Sequence, residues 1–312
     1  MLAASIALAA LAVLLAWPVP VLLSRAAWPS RAPAAALALW QAIALAGGLS
    51  MIGALLTFGL IPFGDDLLDS AFGFAAFVSG AGTATPFEAW HVFALAGAVL
   101  LGGHLLLNLG LTVVRAERQR RRHARLIALL SEPMAGGDRL IDDPAPVAYC
   151  LPGPLRSITV FSAGLLQLLE ADELAAVVAH ERAHVEQRHD VVLVLFRAWY
   201  ASLPWFPIAY RAQREVGALV EMLADDRARR VVDDAVLARA IALVGSASPA
   251  EQTTLLGDAE PGSPDLIRDR VMRLGAPVSG PAVRAAALTA AAALLAVPTA
   301  LLLGPGIAGL VT

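Results

Sequence analysis

The sequence predicts an α-helical membrane protein: four transmembrane helices and one polar α+β domain, mainly helical, that carries a short β-sheet. Three observations predict it. Of 312 residues, 58% are apolar and only 16% are charged, against about 25% charged in ordinary soluble domains. The mean hydropathy is +0.68, which implies more apolar surface than a soluble core hides. The apolarity is also segregated: uncharged stretches at 1–24, 32–64, 89–114 and 285–312 flank a polar segment at 115–284. Each stretch is long enough for the ~30 Å hydrocarbon layer, which takes about 20 helical residues.

The first stretch is expected to be a retained helix. No basic residue precedes it, and its run exceeds the roughly 7 to 15 residues of a signal-peptide core. The N-terminal membrane domain then covers 1–114, with helices at about 1–24, 33–62 and 89–114, and a fourth transmembrane helix covers 285–312. Orientation follows from arginine, which collects in cytoplasmic loops near helix ends. Arg25 and Arg31 follow the first helix without an acid, whereas Asp65, Asp66, Asp69 and Glu88 follow the second without a base. Arg115, Arg118, Arg120, Arg121, Arg122 and Arg125 follow the third. Both termini are therefore expected outside the cell membrane and residues 115–284 in the cytoplasm, with the arginine run against anionic lipid. Cys150 is the single cysteine, so no intramolecular disulfide forms, and a net charge of −3 gives no reason to expect direct nucleic-acid binding.

Within the polar segment, Ala135-Gly-Gly-Asp138 and Asp142-Asp-Pro-Ala-Pro146 read as turns. Residues 147–150 and 157–161 are β-branched or aromatic and bounded by Pro and Gly, which predicts two strands joined at Gly153-Pro154. Helical patterns run from Asp172 to about Arg188 and from about Arg211 to Ala240. Between them, residues 191–210 hold one charge, Arg197, and are punctuated by Trp199, Pro204, Trp205 and Pro207. That composition suits a helix at the membrane interface.

The chemistry concentrates in His180-Glu181-Arg182-Ala183-His184. Histidines four apart share a helical face, so their imidazoles can converge on one metal ion, and Glu181 beside them can take a proton from water. One Zn2+ per chain suits this ligand type, with a third protein ligand and one position left for water. The third ligand is expected to be Glu221 in Glu221-Met-Leu-Ala-Asp225-Asp226 on the second helix, with Glu215 and Asp190 as rivals. Asp225 shares the face of Glu221 and can accept the free ring N–H of a ligating histidine. His189, five residues after His184, is expected to turn away from it.

His180-Glu-Arg-Ala-His184 with Glu221-x-x-Ala-Asp225 resembles the gluzincin metallopeptidases of the HtpX type and of the BlaR/MecR antirepressor type. Phe161-Ser-Ala-Gly-Leu-Leu166, the Asp225-Asp226 pair and Trp205-Phe206-Pro207, similar to a Trp-Phe-Asn-Pro signature without its Asn, favour the second group. The resemblance covers about residues 85–275. It implies a membrane-embedded zinc endopeptidase that cleaves a cytoplasmic winged-helix repressor, or itself. The chain ends at Thr312, so the penicillin-binding sensor of the β-lactam-sensing members is expected to be missing and direct β-lactam acylation is not expected. An extended substrate is expected to pair with the edge of the 157–161 strand. Arg270, in Arg270-Val-Met-Arg-Leu274, matches a family-like string and is a candidate electrophile or support; otherwise it is a surface or headgroup-facing arginine.

Other polar groups have simpler readings. Gln41, His104 and Asn108 lie at membrane depth, where interhelical hydrogen bonding accounts for them. Cys150 packs at a strand end. Two competing functions remain: an HtpX-type quality-control protease with many membrane substrates, and a non-enzymatic receptor or scaffold with a structural zinc, in which Glu181 would have no use.

Overall fold

A computed structural model describes residues 1–82, 88–134, 138–151, 158–204, 207–247, 263–275 and 280–311. The turn at 135–137, the Gly153-Pro154 loop and the Trp205-Phe206 pair lie outside the described residues. In chain order the helices are α1 (Leu2–Ala16), α2 (Pro18–Arg25), α3 (Pro33–Gly59), α4 (Leu67–Val78) and α5 (Ala89–Leu130). Four strands follow, β1 (Ser131–Pro133), β2 (Arg139–Ile141), β3 (Ala148–Leu151) and β4 (Ile158–Ser162). Then come α6 (Ala163–Leu168), α7 (Ala171–Glu186), α8 (His189–Ser202), α9 (Pro207–Ala228), α10 (Asp234–Ala247), α11 (Pro264–Leu274) and α12 (Pro281–Val311).

The chain divides into two compact units, one of residues 1–26, 38–107 and 281–312, the other of 27–37 and 108–280. Among the described residues, four helical stretches are long and apolar enough to cross a membrane: Leu2–Arg25, Pro33–Gly59, Ala89–Leu130 and Pro281–Ile307. The first is broken at Trp17 (φ −133°, ψ −72°) before Pro18, which has no N–H to continue the ladder. In the first unit small residues allow close helix approach: the Ser5 hydroxyl donates to the Ala54 carbonyl at 2.9 Å, and Leu8, Ala54 and Leu302 bury one another. The sequence pattern did not predict α4, whose first turn is held by Asp66 accepting from the N–H groups of Leu68 and Asp69. Helix α5 continues 16 residues past 114, because nothing in its arginine run breaks a helix and Glu117 pairs with Arg120 and Arg121 one turn on.

In the second unit the strands lie in the order β1-β2-β4-β3, with β2 parallel to β4 and the other pairs antiparallel. This overturns the expectation that the 157–161 strand offers an edge. Strand β4 is paired on both sides, and the outer edge of the sheet beside it belongs to β3. The two extra strands are three residues each, too short to leave an alternating pattern in the sequence. Ser162 ends β4 and caps α6, accepting from the N–H of Leu165 at 3.1 Å. Gly164 sits where a Cβ would lie 2.0 Å from the Pro144 carbonyl oxygen, so only glycine fits.

Asp172 and Glu173 occupy the first turn of α7, where the helix dipole favours them, and the Glu173 carboxylate accepts the N–H of Glu170 at 3.0 Å. One face of α7 is buried at Ala176, His180 and Ala183, small residues beside the first histidine that admit α9 closely. The helix expected over 211–240 is two, because Asp233 accepts the N–H of Ala235 and starts α10 anew. Ala176, Ala228, Leu237, Ala240, Ile241 and Leu274 join α7, α9, α10 and α11 in one core. A second cluster of Phe161, Leu165 and Leu169 packs sheet and α6 beneath α7. Each fully buried leucine here contributes on the order of 1.5–3 kcal/mol. That rigidity is what holds the α7 and α9 faces in register.

Candidate metal centre

Helix α7 presents His180 and His184 one turn apart, and α9 crosses it with Glu221 and Asp225 at the same spacing. His180 Nε2 lies 3.1 Å from His184 Nε2 and 3.3 Å from Glu221 Oε2, and His184 Nε2 lies 3.5 Å from Glu221 Oε1. A tetrahedral zinc with bonds of about 2.0–2.1 Å sets its ligand atoms ~3.3 Å apart. The three side chains therefore fit that ion in number, type and separation, and among the described residues they are the His/Cys/Asp/Glu group so arranged. Glu215 instead pairs with Arg214, and Asp190 lies 4.0 Å from Arg120.

The carboxylate of Asp225, 1% exposed, lies 2.9 Å from His180 Nδ1. Held through an Nδ1–H donated to Asp225, the ring can give up its Nε2 hydrogen and present a lone pair there when a metal ion is bound. Burial opposes charge on His180, but its hydrogen bonds with Asp225 and Glu221 outweigh that and push its pKa up to about 9. Burial would likewise raise Glu221 and Asp225. Arg270 and the histidines hold Glu221 well below the usual carboxylate range, and Arg270 with His180 does so for Asp225. For Glu181 burial, with the nearby charge of Glu221, outweighs the opposing charges of His180 and Arg270 and pushes its carboxyl up to about 7. Strand β3 packs against α7, and burial pushes the thiol of its Cys150 up to about 11.

Two sequence readings are overturned. Arg270 is no surface or headgroup-facing arginine: it is 8% exposed. Its Nε and Nη2 donate to the two oxygens of Asp225 at 2.9 and 2.7 Å, and Nη1 lies 3.2 Å from Glu221 Oε2. All three of its guanidinium nitrogens are thus engaged by the carboxylates of α9. His189 does not turn away from His184 either. Helix α7 stops at Glu186, Arg188 takes a left-handed conformation, and His189 at the start of α8 comes back with its Nδ1 3.0 Å from His184 Nδ1. Extrapolating α7 past its end misplaced it, and a non-glycine left-handed residue leaves no clear signal in sequence.

No solved structure matches the chain. Residues 115–244 match the model of peptidase family M48, whose members are zinc metallopeptidases. The matched span holds His180, Glu181, His184, Glu221 and Asp225, and Arg270 reaches the centre from beyond it. Over that span, which is less than half of the chain, the match indicates an M48 peptidase domain and the hydrolase chemistry of a metallopeptidase.

Proposed function

We propose that this protein is a membrane-embedded zinc endopeptidase that acts in regulatory signalling by cleaving one cytoplasmic protein, a winged-helix repressor, or itself. The observation that carries the reading is the convergence of His180, His184 and Glu221 at 3.1 to 3.5 Å within a span that matches a metallopeptidase family. In this reading those three side chains hold one zinc, which when bound polarises the scissile carbonyl and acidifies the attacking water. Glu181 accepts the proton of that water and later hands it to the leaving amine. Asp225 keeps the His180 ring turned with Nε2 inward. Arg270 offsets the charge of Glu221 and Asp225. An extended peptide would pair along the outer edge of β3, which stands beside α7. The arginine distribution supports a cytoplasmic domain, with both termini outside and Arg115 to Arg125 against anionic lipid.

The test is Glu181→Gln. The variant should fold, keep its zinc and lose cleavage of a candidate repressor, or of the chain itself, by about 10² to 10⁴, mostly in kcat. Cleavage at the wild-type rate with zinc bound would return the protein to the receptor or scaffold reading. Comparing proteomes of cells with wild type and Glu181→Gln then identifies the role. A single protein spared from cleavage supports regulation, whereas many spared membrane proteins would assign HtpX-type quality control.

A further inference from the structure

Beyond the ligands, the base, Asp225 and Arg270, a further group among the described residues touches the centre, at the end of α7. Arg188, at φ 51°, ψ 44°, reverses the chain between α7 and α8. The reversal sets the His189 ring against that of His184, with centroids 4.9 Å apart and planes at 87°. His189 is 2% exposed, so this is an interior contact. Its Nδ1 is 3.0 Å from His184 Nδ1, and its Nε2 is 2.9 Å from Gln187 Oε1.

Hydrogen-bond bookkeeping then leaves one arrangement. An amide oxygen only accepts, so the hydrogen on that side belongs to His189 Nε2. A neutral imidazole with Nε2–H offers Nδ1 as an acceptor, and a second positive charge buried beside a cation site is unfavourable. His184 Nδ1 must therefore donate to it. The lone pair of His184 is then on Nε2, the atom that faces His180 Nε2 and Glu221. His180 reaches the same state by a different route, through Asp225. We propose that Gln187 and His189 form a two-step relay that holds His184 in its Nδ1–H tautomer, which makes His189 a positioning residue for the zinc site. The inference rests on His184 being a zinc ligand, and it adds what orients that ligand.

The experiment uses the purified full chain in detergent, with zinc affinity measured by competition with a chelator and site geometry read from the visible bands of the Co2+-substituted protein. His189→Leu keeps the bulk and removes the acceptor. His189→Asn places an amide oxygen near the position of Nδ1. The leucine variant should bind zinc about 10- to 100-fold more weakly, with shifted Co2+ bands, and the asparagine variant should recover most of the affinity. A merely structural role predicts instead that the two variants fall together with their melting temperatures. Equal zinc affinity in wild type and His189→Leu, or no recovery in His189→Asn, overturns the relay. Should the leucine variant fail to fold, Gln187→Leu at the exposed end should loosen zinc in the same direction by a smaller factor, and unchanged affinity there overturns it too. Long-range 1H–15N spectra of the metal-free chain give a reading independent of zinc: a hydrogen on His184 Nε2 overturns the relay, one on Nδ1 supports it. Wild-type protein that takes up no zinc would sink the ligand assignment itself, a failure visible before any variant is compared.

Discussion

Glu221 is the member of the proposed ligand set that comes from a second helix, and so the residue whose loss separates a metal site from a pair of histidines on a helix. Its two oxygens address different imidazoles, Oε2 toward His180 and Oε1 toward His184. Removing it takes away a ligand and also deprives Arg270 of one of its two carboxylates. Metal analysis of Glu221→Ala should therefore show a zinc affinity reduced by more than the roughly 10- to 100-fold that a hydrogen-bond partner of a ligand is worth. Glu215→Ala and Asp190→Ala, whose carboxylates face arginines elsewhere, should keep their zinc. Full zinc content in Glu221→Ala would assign the third ligand to another group.

Among the elements, α11 is the one that completes the centre from outside the matched span. It is pinned to α9 by two arginines one turn apart that meet two adjacent aspartates. Arg270 engages Asp225, while Arg273 donates to Asp226 at 2.9 Å and to the Met222 carbonyl at 2.7 Å. Leu274 and Val271 bury the same face of α11 against α10. Truncating Arg270 leaves Asp225 buried beside His180 with no guanidinium, and breaking a buried pair in this way costs about 3–5 kcal/mol. Thermal unfolding of metal-free Arg270→Ala should show that loss as a lowered Tm. Arg270→Lys should recover only part of it, because an ammonium cannot reproduce the fork that spans both oxygens of Asp225. A melting temperature equal to that of wild type would show that the core of α7, α10 and α11 holds the helix without the pair.

For the whole molecule, the question that decides substrate access is on which side of the membrane residues 115–284 lie. Arg25 and Arg31, the acids at 65, 66, 69 and 88, and the six arginines from 115 to 125 all argue for the cytoplasm by the same rule. Reporter fusions near residues 140 and 255 should give cytoplasmic-type signals, and fusions after residue 312 external ones. A periplasmic-type signal near 140 or 255 would reverse the topology and exclude a cytoplasmic repressor as substrate.

The sequence by itself determined what depends on local spacing: the apolar stretches, the two histidines one turn apart on α7, and Glu221 and Asp225 one turn apart on α9. A period of 3.6 residues is enough to put such pairs on one face. The partners across space were decided by packing alone. Arg270 has the sequence context of a surface arginine, and becomes a buried fork only because α11 folds back over a pair of aspartates 45 residues earlier in the chain. His189 needed the left-handed turn at Arg188, which one residue's backbone dictates and no periodicity records. Strand β4 is interior because β2, too short to be seen as a pattern, pairs on its other side, with the equally short β1 beyond it. Contacts three or four residues apart are fixed by helix geometry. Those between elements are chosen by how side-chain volumes and buried charges can be satisfied together, and that is settled only when the whole domain closes.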